Sequence, residues 1–167
     1  MTDERPVHAG FDAFYAAEHG RLVTTLLLAT GDADAARDAT DEAFLRALMA
    51  WPRVGAMVSP AGWTYTVALN VVRRRARRRA MEQRLLRRTV APAVVPAPAG
   101  EAWALVADLP HRQREAVVLR YVADLTEAEI AQTMGVSRST VSSTLIDAKR
   151  ALGRQLADLQ MTGEHHA

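Results

Sequence analysis

Several residue types and sequence features are rare or absent in this chain. Cysteine does not occur among the 167 residues, which excludes disulfide bonds and metals held by thiolates. The N-terminal segment MTDERPVHAG lacks the apolar core of a signal peptide. The longest apolar stretch, residues 22–29, is interrupted by two threonines and is too short to cross a bilayer. We therefore expect a soluble, cytoplasmic protein that does not insert into a membrane.

Aromatic residues are also scarce, with only three each of Phe, Tyr and Trp, although 49% of the chain is hydrophobic. Alanine, leucine and arginine are abundant instead. This composition favours packed helices over a β-sandwich or a barrel. The sequence therefore predicts an all-α fold.

Charge is unevenly distributed along the chain. Residues 1–72 carry 9 acidic and 5 basic residues, a net charge of −4. Residues 73–100 carry 9 arginines and one Glu, a net charge of +8. Residues 101–167 carry 9 acidic and 7 basic residues, a net charge of −2. The concentrated positive charge indicates a local contact with a polyanion.

Residues 10–88 have the pattern of a first domain with three to four helices. Apolar residues at helical spacing predict a helix over residues 11–29, which Gly31 is placed to end. Asp32 can cap a second helix, whose apolar stripe continues to Trp51. The ends of the first two helices are thus indicated by local sequence signals.

A third helix is predicted after a short loop. Pro52 is expected to close the second helix, and the loop 53–58 follows. Ser59 followed by Pro60 is a helix-start signal, and the helix then runs into RRRARRR at 73–79. A solvated, disordered tail is the alternative for this arginine run. We favour an ordered contact, because mutually repelling charges at this density are costly without an anion.

The segment between the two halves reads as a linker. Residues 89–100, TVAPAVVPAPAG, contain three prolines, so they cannot form a helix interior, and they have no partner strand. Residues 101–160 are predicted to form a second helical domain. The expected architecture is two small helical domains joined by a Pro/Ala-rich linker.

The most specific motif is a helix-turn-helix in residues 125–152, LTEAEIAQTMGVSRSTVSSTLIDAKRAL. Ala131 is small enough for two helices to cross, Gly135 supplies the positive φ of the turn, and Val141 packs against the first helix. Residues 137–143 then project toward a DNA major groove. An ordinary helical hairpin is the alternative, but this spacing favours DNA binding.

Capping signals bound both helices of this motif. Thr126, with Glu129 three residues later, predicts a capping box. Ser137 can cap a final helix that we expect to run to about Leu159. The remaining positions expected in the small core are Ile130 and Leu145.

The N-terminal half of the chain distinguishes it from other helix-turn-helix proteins. ARDATDEAFLRALMAW at 36–51, followed by SPAGWTYTVALNVVRRRARRR at 59–79, resembles the polymerase-binding and promoter-melting domain of extracytoplasmic-function (ECF) sigma factors. LPHRQREAVVLRYVADLTEAEIAQTMGVSRSTV at 109–141 resembles their second domain. The resemblance covers roughly residues 11–155, with both halves in the family's order. It implies a specificity subunit of bacterial RNA polymerase, not an enzyme.

The resemblance implies that the second helix docks on core RNA polymerase through an acidic and aromatic face. The matching positions are Asp38, Glu42, Phe44, Leu45 and Arg46. The alternative for Phe44 is a place in the hydrophobic core, with the neighbouring charges merely solvated.

The resemblance also implies that the loop after the second helix captures a flipped base of the melted minus-ten element, and that the third helix contacts the non-template strand. The matching positions are Arg53, Asn70, Arg73, Arg74, Arg75, Arg77, Arg78 and Arg79. Arginine neutralises phosphate, and its guanidinium plane stacks on unpaired bases, which independently supports this role. Trp63 lies on the apolar stripe, so we expect it in the core and not as a stacking platform.

In the second domain the resemblance implies contacts to the minus-thirty-five element. The expected residues are Arg138, Ser139, Thr140, Ser142, Ser143, Lys149 and Arg150. Where the family usually has a glycine, a basic residue and an arginine, this chain has Ser139, Ser142 and Thr144. We therefore expect weak duplex binding by this domain alone, with recognition effective only when it is tethered to polymerase.

The partners that the resemblance implies are bacterial core RNA polymerase, promoter DNA as duplex and as melted non-template strand, and an anti-sigma factor. No cofactor is expected. No catalytic or metal-binding residue is identified, because the five histidines have no metal-ligand spacing and a Gly-rich phosphate loop is missing.

Two other functions compete with this interpretation. One is a regulator that binds duplex DNA by itself, although the acidic second domain and the arginine run outside it argue against that. The other is a sigma mimic that only binds proteins, which the depleted recognition helix leaves open.

Overall fold

The computed structural model describes residues 10–86 and 101–164, and all regular elements in these ranges are α-helices. The first part contains α1 (Phe11–Thr30), α2 (Ala33–Met49), α3 (Trp51–Val54) and α4 (Pro60–Leu86). The second part contains α5 (Glu101–Ala107), α6 (His111–Tyr121), α7 (Glu127–Met134) and α8 (Arg138–Glu164). The chain divides into two compact units, Met1–Val95 and Pro96–Ala167. The predicted all-α fold with two small helical domains is confirmed.

The predicted linker at 89–100 lies outside the described residues. The domain limits 10–88 and 101–160 therefore stay predictions. Within the described ranges, no helix combines the length and the apolar character that a membrane span requires.

The junction between α1 and α2 follows the predicted signals. Gly31 has a φ of +70°, and its N–H donates to the carbonyl of Leu27 at 2.8 Å. The Asp32 carboxylate accepts a hydrogen bond from the N–H of Ala35 at 2.8 Å. A left-handed glycine and an acidic N-cap therefore reverse the chain between two packed helices.

The second helix ends differently from the prediction. α2 stops at Met49, and Ala50 separates it from α3, a helix of 4 residues. Pro52 lies in the first turn of α3 and does not close α2, because first-turn N–H groups have no helical partner for proline to remove. This turn buries Trp51 and Val54, which ties the following loop to the core.

The core of the first unit lies where α1, α2 and α4 pack together. From α2 it takes Ala36, Ala39 and Ala43, which are fully buried and small enough for the helices to approach closely. From α1 it takes Leu22 and Leu26, also fully buried. Each buried leucine contributes about 1.5–3 kcal/mol relative to an exposed one.

Aromatic rings from α1, α2 and α3 pack beside this aliphatic core. Ring centroids in the cluster lie 4.9 to 6.4 Å apart, the range in which aromatic pairs attract one another. The members are Phe11, Phe14, Tyr15, Phe44 and Trp51. Most of the chain's few aromatic side chains thus serve one packing site.

In the second unit, α7 and the start of α8 form the predicted helix-turn-helix. The Thr126 hydroxyl accepts from the N–H of Glu129 at 3.3 Å, and the Glu129 carboxylate accepts from the N–H of Thr126 at 2.8 Å. Gly135 has a φ of +67° in the turn. Ile130 and Val141 are fully buried between the two helices. The capping box, the turn and this part of the core are all as expected.

The two longest helices extend further than the sequence indicated. α4 continues through the arginine run to Leu86, and α8 continues past Leu159 to Glu164. Each is 27 residues long. The arginines therefore project from a continuous helix, at angular positions set by the helical repeat.

Candidate functional site

One face of α2 exposes an apolar pair of side chains. Leu45 is 58% exposed, and Met49, one turn later, is 77% exposed. Asp38 and Arg46 are exposed on the same side of the helix, since residues four apart lie on one face. An apolar centre flanked by charges suits docking against another protein.

Met49 was missed by the sequence reasoning. The signal was present, because Met49 lies four residues after Leu45 and off the apolar stripe that faces the core. Its position therefore extends the predicted docking face by one turn.

Phe44, which the sequence assigned to the same face, lies in the core. It is 3% exposed, with its ring centroid 4.9 Å from that of Tyr15 and 5.7 Å from that of Phe14. The ring packs α2 against α1 and has little surface left for a partner. Its assignment as a polymerase contact stays a prediction, and its burial favours an indirect role in supporting Leu45.

Acidic side chains of α2 pair with part of the arginine run on α4. We use the name ion-pair ladder for six residues: Asp32, Asp38, Glu42, Arg74, Arg75 and Arg79. The distances are 2.8 Å from Arg79 Nη1 to Asp32 Oδ2, 2.8 Å from Arg75 Nη1 to Asp38 Oδ2, and 2.9 Å from Arg74 Nη2 to Glu42 Oε1. The order of these pairs shows that α2 and α4 run antiparallel.

Glu42 is the most heavily engaged carboxylate of the ion-pair ladder. Besides Arg74, it pairs with Arg46 on its own helix and lies 3.6 Å from Arg75 Nη2. These carboxylates reduce the repulsion among neighbouring arginines. The anions that the arginine run requires are therefore supplied in part by the chain itself, which the sequence did not indicate.

Asp32 has two roles at one end of the ion-pair ladder. Its carboxylate caps α2 by accepting from the N–H of Ala35, and it also pairs with Arg79. The Ala35 hydrogen bond, assisted by the Arg79 guanidinium and opposed by partial burial, lowers the pKa of Asp32 below its usual value. The carboxylate therefore remains charged at any physiological pH.

A second strip of α4 carries Asn70, Arg73 and Arg77, which are spaced three and four residues apart. Arg73 Nη1 lies 3.5 Å from Asn70 Oδ1. Arg77 is exposed and makes no ion pair with a described side chain. We call Asn70, Arg73 and Arg77 the outward strip. Apart from Arg78, the predicted minus-ten residues on α4 belong either to the ion-pair ladder or to the outward strip. Arg78 belongs to neither, since it pairs with Glu82 at 2.9 Å.

Arg53 lies beside Trp63 at the base of the loop that follows α3. Its guanidinium carbon is 5.9 Å from the Trp63 ring centroid, within the range of a cation–π contact. Trp63 is half-buried, so the expectation that it lies in the core is met only in part. The pair offers a flat surface and a positive charge together.

The polar residues of the recognition helix are hydrogen-bonded among themselves. Ser137 Oγ caps α8 by accepting from the N–H of Thr140 at 3.1 Å, and it lies 2.9 Å from Ser139 Oγ. Ser143 Oγ donates to the Thr140 carbonyl at 3.0 Å, and Ser142 is half-buried. Contacts from Ser139, Thr140 and Ser143 to base edges must therefore compete with hydrogen bonds already made inside the helix.

The cations predicted to contact the minus-thirty-five element are all exposed. Arg138 lies 3.8 Å from Glu127, and Arg150 lies 3.6 Å from Asp147. At these distances the pairs are weak, but they place negative charge beside two of the three cations. The third cation is Lys149.

Metal binding was the other chemistry to consider for the residues that the structure describes. Among residues 10–86 and 101–164, no group of three or more His, Asp or Glu side chains is arranged to hold a metal ion. The features that stand out are instead the exposed α2 face, the two arginine groups of α4, and the helix-turn-helix.

Comparison with known proteins gives two family matches and two informative structures. Residues 14–82 match sigma-70 region 2, and residues 99–152 match sigma-70 region 4. The chain is similar in structure to the sigma factor RpoE in complex with the anti-sigma factor NepR from Bartonella quintana, at a TM-score of 0.74 and 18% identity over 88% of this chain and 96% of that one. It is also similar to CnrH in complex with the cytosolic domain of CnrY, at a TM-score of 0.62 and 21% identity over 90% of this chain and 89% of that one. At these identities the two structures support the fold. No curated protein matches the sequence.

The matched segments coincide with the features derived from the geometry. The region 2 segment contains the exposed α2 face and the arginines of α4 up to position 82, and the region 4 segment contains the complete helix-turn-helix. The two segments together span most of the chain in the order that the sequence predicts. The chain therefore belongs to the sigma-70 family, as a sigma factor of the ECF type that recognises promoters in transcription initiation.

Proposed function

We propose that this chain binds bacterial core RNA polymerase through α2, contacts the melted minus-ten element through α4 and the loop before it, and contacts the minus-thirty-five element through α8. The observation that carries the proposal is that one chain combines an exposed apolar and acidic helix face, an arginine-rich helix and a helix-turn-helix. A stand-alone regulator needs only the last of these.

For the polymerase contact, Leu45 and Met49 supply the apolar centre, and Asp38 and Arg46 supply charges beside it. Burial of exposed apolar side chains drives most protein association, and flanking charges orient it. Phe44 is buried beneath this face, and its packing against α1 fixes the position of α2.

For the minus-ten contact, the outward strip of α4 is the first candidate. Arg77 is accessible to phosphate, and Asn70 and Arg73 lie beside it along the helix. Arg53 and Trp63 offer a stacking surface for an unpaired base, since aromatic and guanidinium planes both stack on bases. Together these groups suit single-stranded DNA better than an intact duplex.

The proposal is tested by run-off transcription with purified core polymerase on a random promoter library, with and without the chain. Transcripts that require the chain and share upstream motifs support it. If core polymerase binds the chain without initiating, the protein is a sigma mimic or needs an activator. If core polymerase does not bind it, an independent DNA-binding regulator is the better interpretation.

The minus-ten assignment is tested with a double variant, Arg73→Ala/Arg77→Ala. We expect it to bind polymerase normally but to lose promoter opening, measured by permanganate reactivity of unpaired thymines. The matched control is Arg37→Ala/Arg112→Ala, which removes the same charge from exposed positions elsewhere. An equal loss of opening in both variants would show that only overall charge matters.

For the minus-thirty-five contact, we propose that the helix-turn-helix recognises DNA usefully only within the polymerase complex. The hydroxyls of Ser139, Thr140 and Ser143 are engaged internally, and two of the three predicted cations lie near carboxylates. We expect the free chain to bind a duplex promoter far more weakly than the complex does, as measured by fluorescence anisotropy at equal salt. Equally tight binding by the free chain would contradict this.

Sigma-70 family members are non-catalytic initiation subunits, and we propose that this chain likewise catalyses no reaction and needs no cofactor. Its partner polymerase acts in the bacterial cytoplasm, and we place the chain there too. Two similar structures were determined with a bound protein partner, in one case an anti-sigma factor, so we propose that an anti-sigma factor controls this chain. Affinity purification of the chain from its own cells should recover a protein that blocks run-off transcription. Recovery of polymerase subunits alone would argue against such control.

A further inference from the structure

The ion-pair ladder connects two surfaces for which separate partners are proposed. Asp38 and Glu42 belong to the helix that faces polymerase, whereas Arg74 and Arg75 belong to the arginine run that faces DNA. In the structure, these four side chains pair with one another at 2.8 to 3.6 Å. A guanidinium fork that holds a carboxylate cannot offer the same N–H groups to a phosphate.

We propose that the ion-pair ladder withholds Arg74 and Arg75 from single-stranded DNA until basic side chains of polymerase engage Asp38 and Glu42. The inference rests on the proposed function and adds a mechanism of regulation to it. Polymerase docking draws the carboxylates away from α4, and the two released arginines extend the outward strip that binds DNA. The free chain is thus kept from binding single strands without polymerase.

Thermodynamic linkage makes this effect reciprocal. If polymerase raises the affinity of the chain for single-stranded DNA by some factor, DNA raises its affinity for polymerase by the same factor. Each exposed ion pair shifts such an equilibrium by about 1.4-fold to fivefold. Release of two arginines therefore amounts to about twofold to 25-fold.

The ion-pair ladder can be opened without polymerase by neutralising its carboxylates. The variant Asp38→Asn/Glu42→Gln removes the acceptors of Arg74 and Arg75 but leaves Asp32 in place, because Asp32 also caps α2. The measurement is fluorescence anisotropy of a labelled single-stranded oligonucleotide of mixed sequence, titrated with the free full-length chain at several salt concentrations. We expect binding about twofold to 25-fold tighter than wild type at low salt.

The salt dependence distinguishes released arginines from a general change in charge. Each phosphate neutralised on a single strand adds about 0.7 to the slope of log affinity against log salt. Two released arginines should therefore steepen the slope by about 1.4. The matched control is Asp34→Asn/Asp41→Asn, which makes the same charge change on the same helix but outside the ion-pair ladder. We expect it to leave the slope unchanged and to alter affinity by less than about twofold.

Two results would overturn the proposal. One is an affinity and slope for Asp38→Asn/Glu42→Gln that match wild type, and the other is an equal change in both double variants. Helix content by circular dichroism checks the fold. If the double variant is unstable, the single variant Asp38→Asn replaces it. This variant breaks only the shorter contact of Arg75, the one with Asp38. Its slope of log affinity against log salt should then be steeper than that of wild type by about 0.7. Run-off transcription with the wild-type chain tests the proposed function separately, because initiation by the chain does not require that the ion-pair ladder regulates DNA binding.

Discussion

Phe44 and Leu45 are adjacent on α2 but should respond to truncation in opposite ways. Phe44 is 3% exposed, and its ring lies within 6.4 Å of the rings of Phe11, Phe14 and Tyr15. Leu45 projects into solvent. We predict that Phe44→Ala mainly destabilises the first unit, whereas Leu45→Ala mainly weakens polymerase binding.

The magnitudes follow from burial. Truncating a buried Phe to Ala costs about 3–5 kcal/mol, because the packing is lost and a cavity remains. Three aromatic neighbours place Phe44 in the upper part of that range. Folded domains are stable by roughly 5–15 kcal/mol, so the loss is a large share of the total. Truncation of exposed Leu45 should change the free energy of unfolding by less than about 0.5 kcal/mol.

Urea unfolding followed by tryptophan fluorescence measures the stability difference, since Trp51 belongs to the same aromatic cluster as Phe44. With an m-value of about 2 kcal/mol/M, Phe44→Ala should lower the unfolding midpoint by about 2 M. Polymerase affinity is measured separately by anisotropy of labelled chain. Leu45→Ala should weaken it by about tenfold, as expected for an apolar residue at the centre of an interface.

Met81→Ala provides the matched control, because Met81 is an exposed apolar side chain on α4, away from the α2 face. It should change neither stability nor polymerase affinity. The reasoning fails if Phe44→Ala keeps the wild-type urea midpoint, or if Leu45→Ala and Met81→Ala bind polymerase equally well.

Three further predictions concern stability. Thr126→Ala removes the capping box and should lower the free energy of unfolding of the second unit by about 1 kcal/mol, seen as faster amide hydrogen exchange in α7. Gly135→Ala should lower the free energy of unfolding by about 1–2 kcal/mol, seen as a lower melting temperature. No atom lies within 4 Å of an added Cβ, but the φ of +67° is strained for a residue that carries one. Asp32, with its lowered pKa, should stabilise the first unit above about pH 4, and this contribution should be lost as the pH falls through the lowered value. Urea unfolding as a function of pH should show this loss in wild type and not in Asp32→Asn.

Each of these predictions has a matched control. Thr144→Ala removes a hydroxyl that bonds only within α8, so it should leave exchange in α7 unchanged. Gly153 lies within α8, so Gly153→Ala should raise the free energy of unfolding of the second unit by up to about 1 kcal/mol. This change is opposite in sign to that of Gly135→Ala. Asp34→Asn should retain the acid-dependent loss of stability, since the Asp34 side chain is 94% exposed. A reversed sign at either glycine, or loss of the acid dependence in Asp34→Asn, would contradict the respective argument.

Much of the fold could be predicted because its signals are local. Gly31 and Asp32 end one helix and start the next through contacts no more than four residues long. The capping box at Thr126 and the left-handed Gly135 define the helix-turn-helix in the same way. The mistake at Pro52 arose because proline both closes helices and occupies their first turns, and the burial of Trp51 and Val54 decided between these possibilities.

The site was predicted less completely. Whether a side chain of α2 is exposed depends on which helices from other parts of the chain pack against it. Helical spacing placed Phe44 and Leu45 near one another but did not show which of them faces α1. Met49 was overlooked although its spacing of four residues from Leu45 indicated the same face. The residues that contact polymerase and DNA stay predictions, and the structure narrows them by showing which side chains are accessible.

By itself, the sequence determined the helical class, the helix-turn-helix and the concentration of positive charge at 73–79, because composition, capping and periodicity act over a few neighbouring residues. Only the tertiary structure decided which arginines are paired. Arg75 meets Asp38 across 37 positions of the chain, and Arg79 meets Asp32 across 47. Those contacts exist because α2 and α4 pack antiparallel over a shared core, and no local pattern of charge specifies that register.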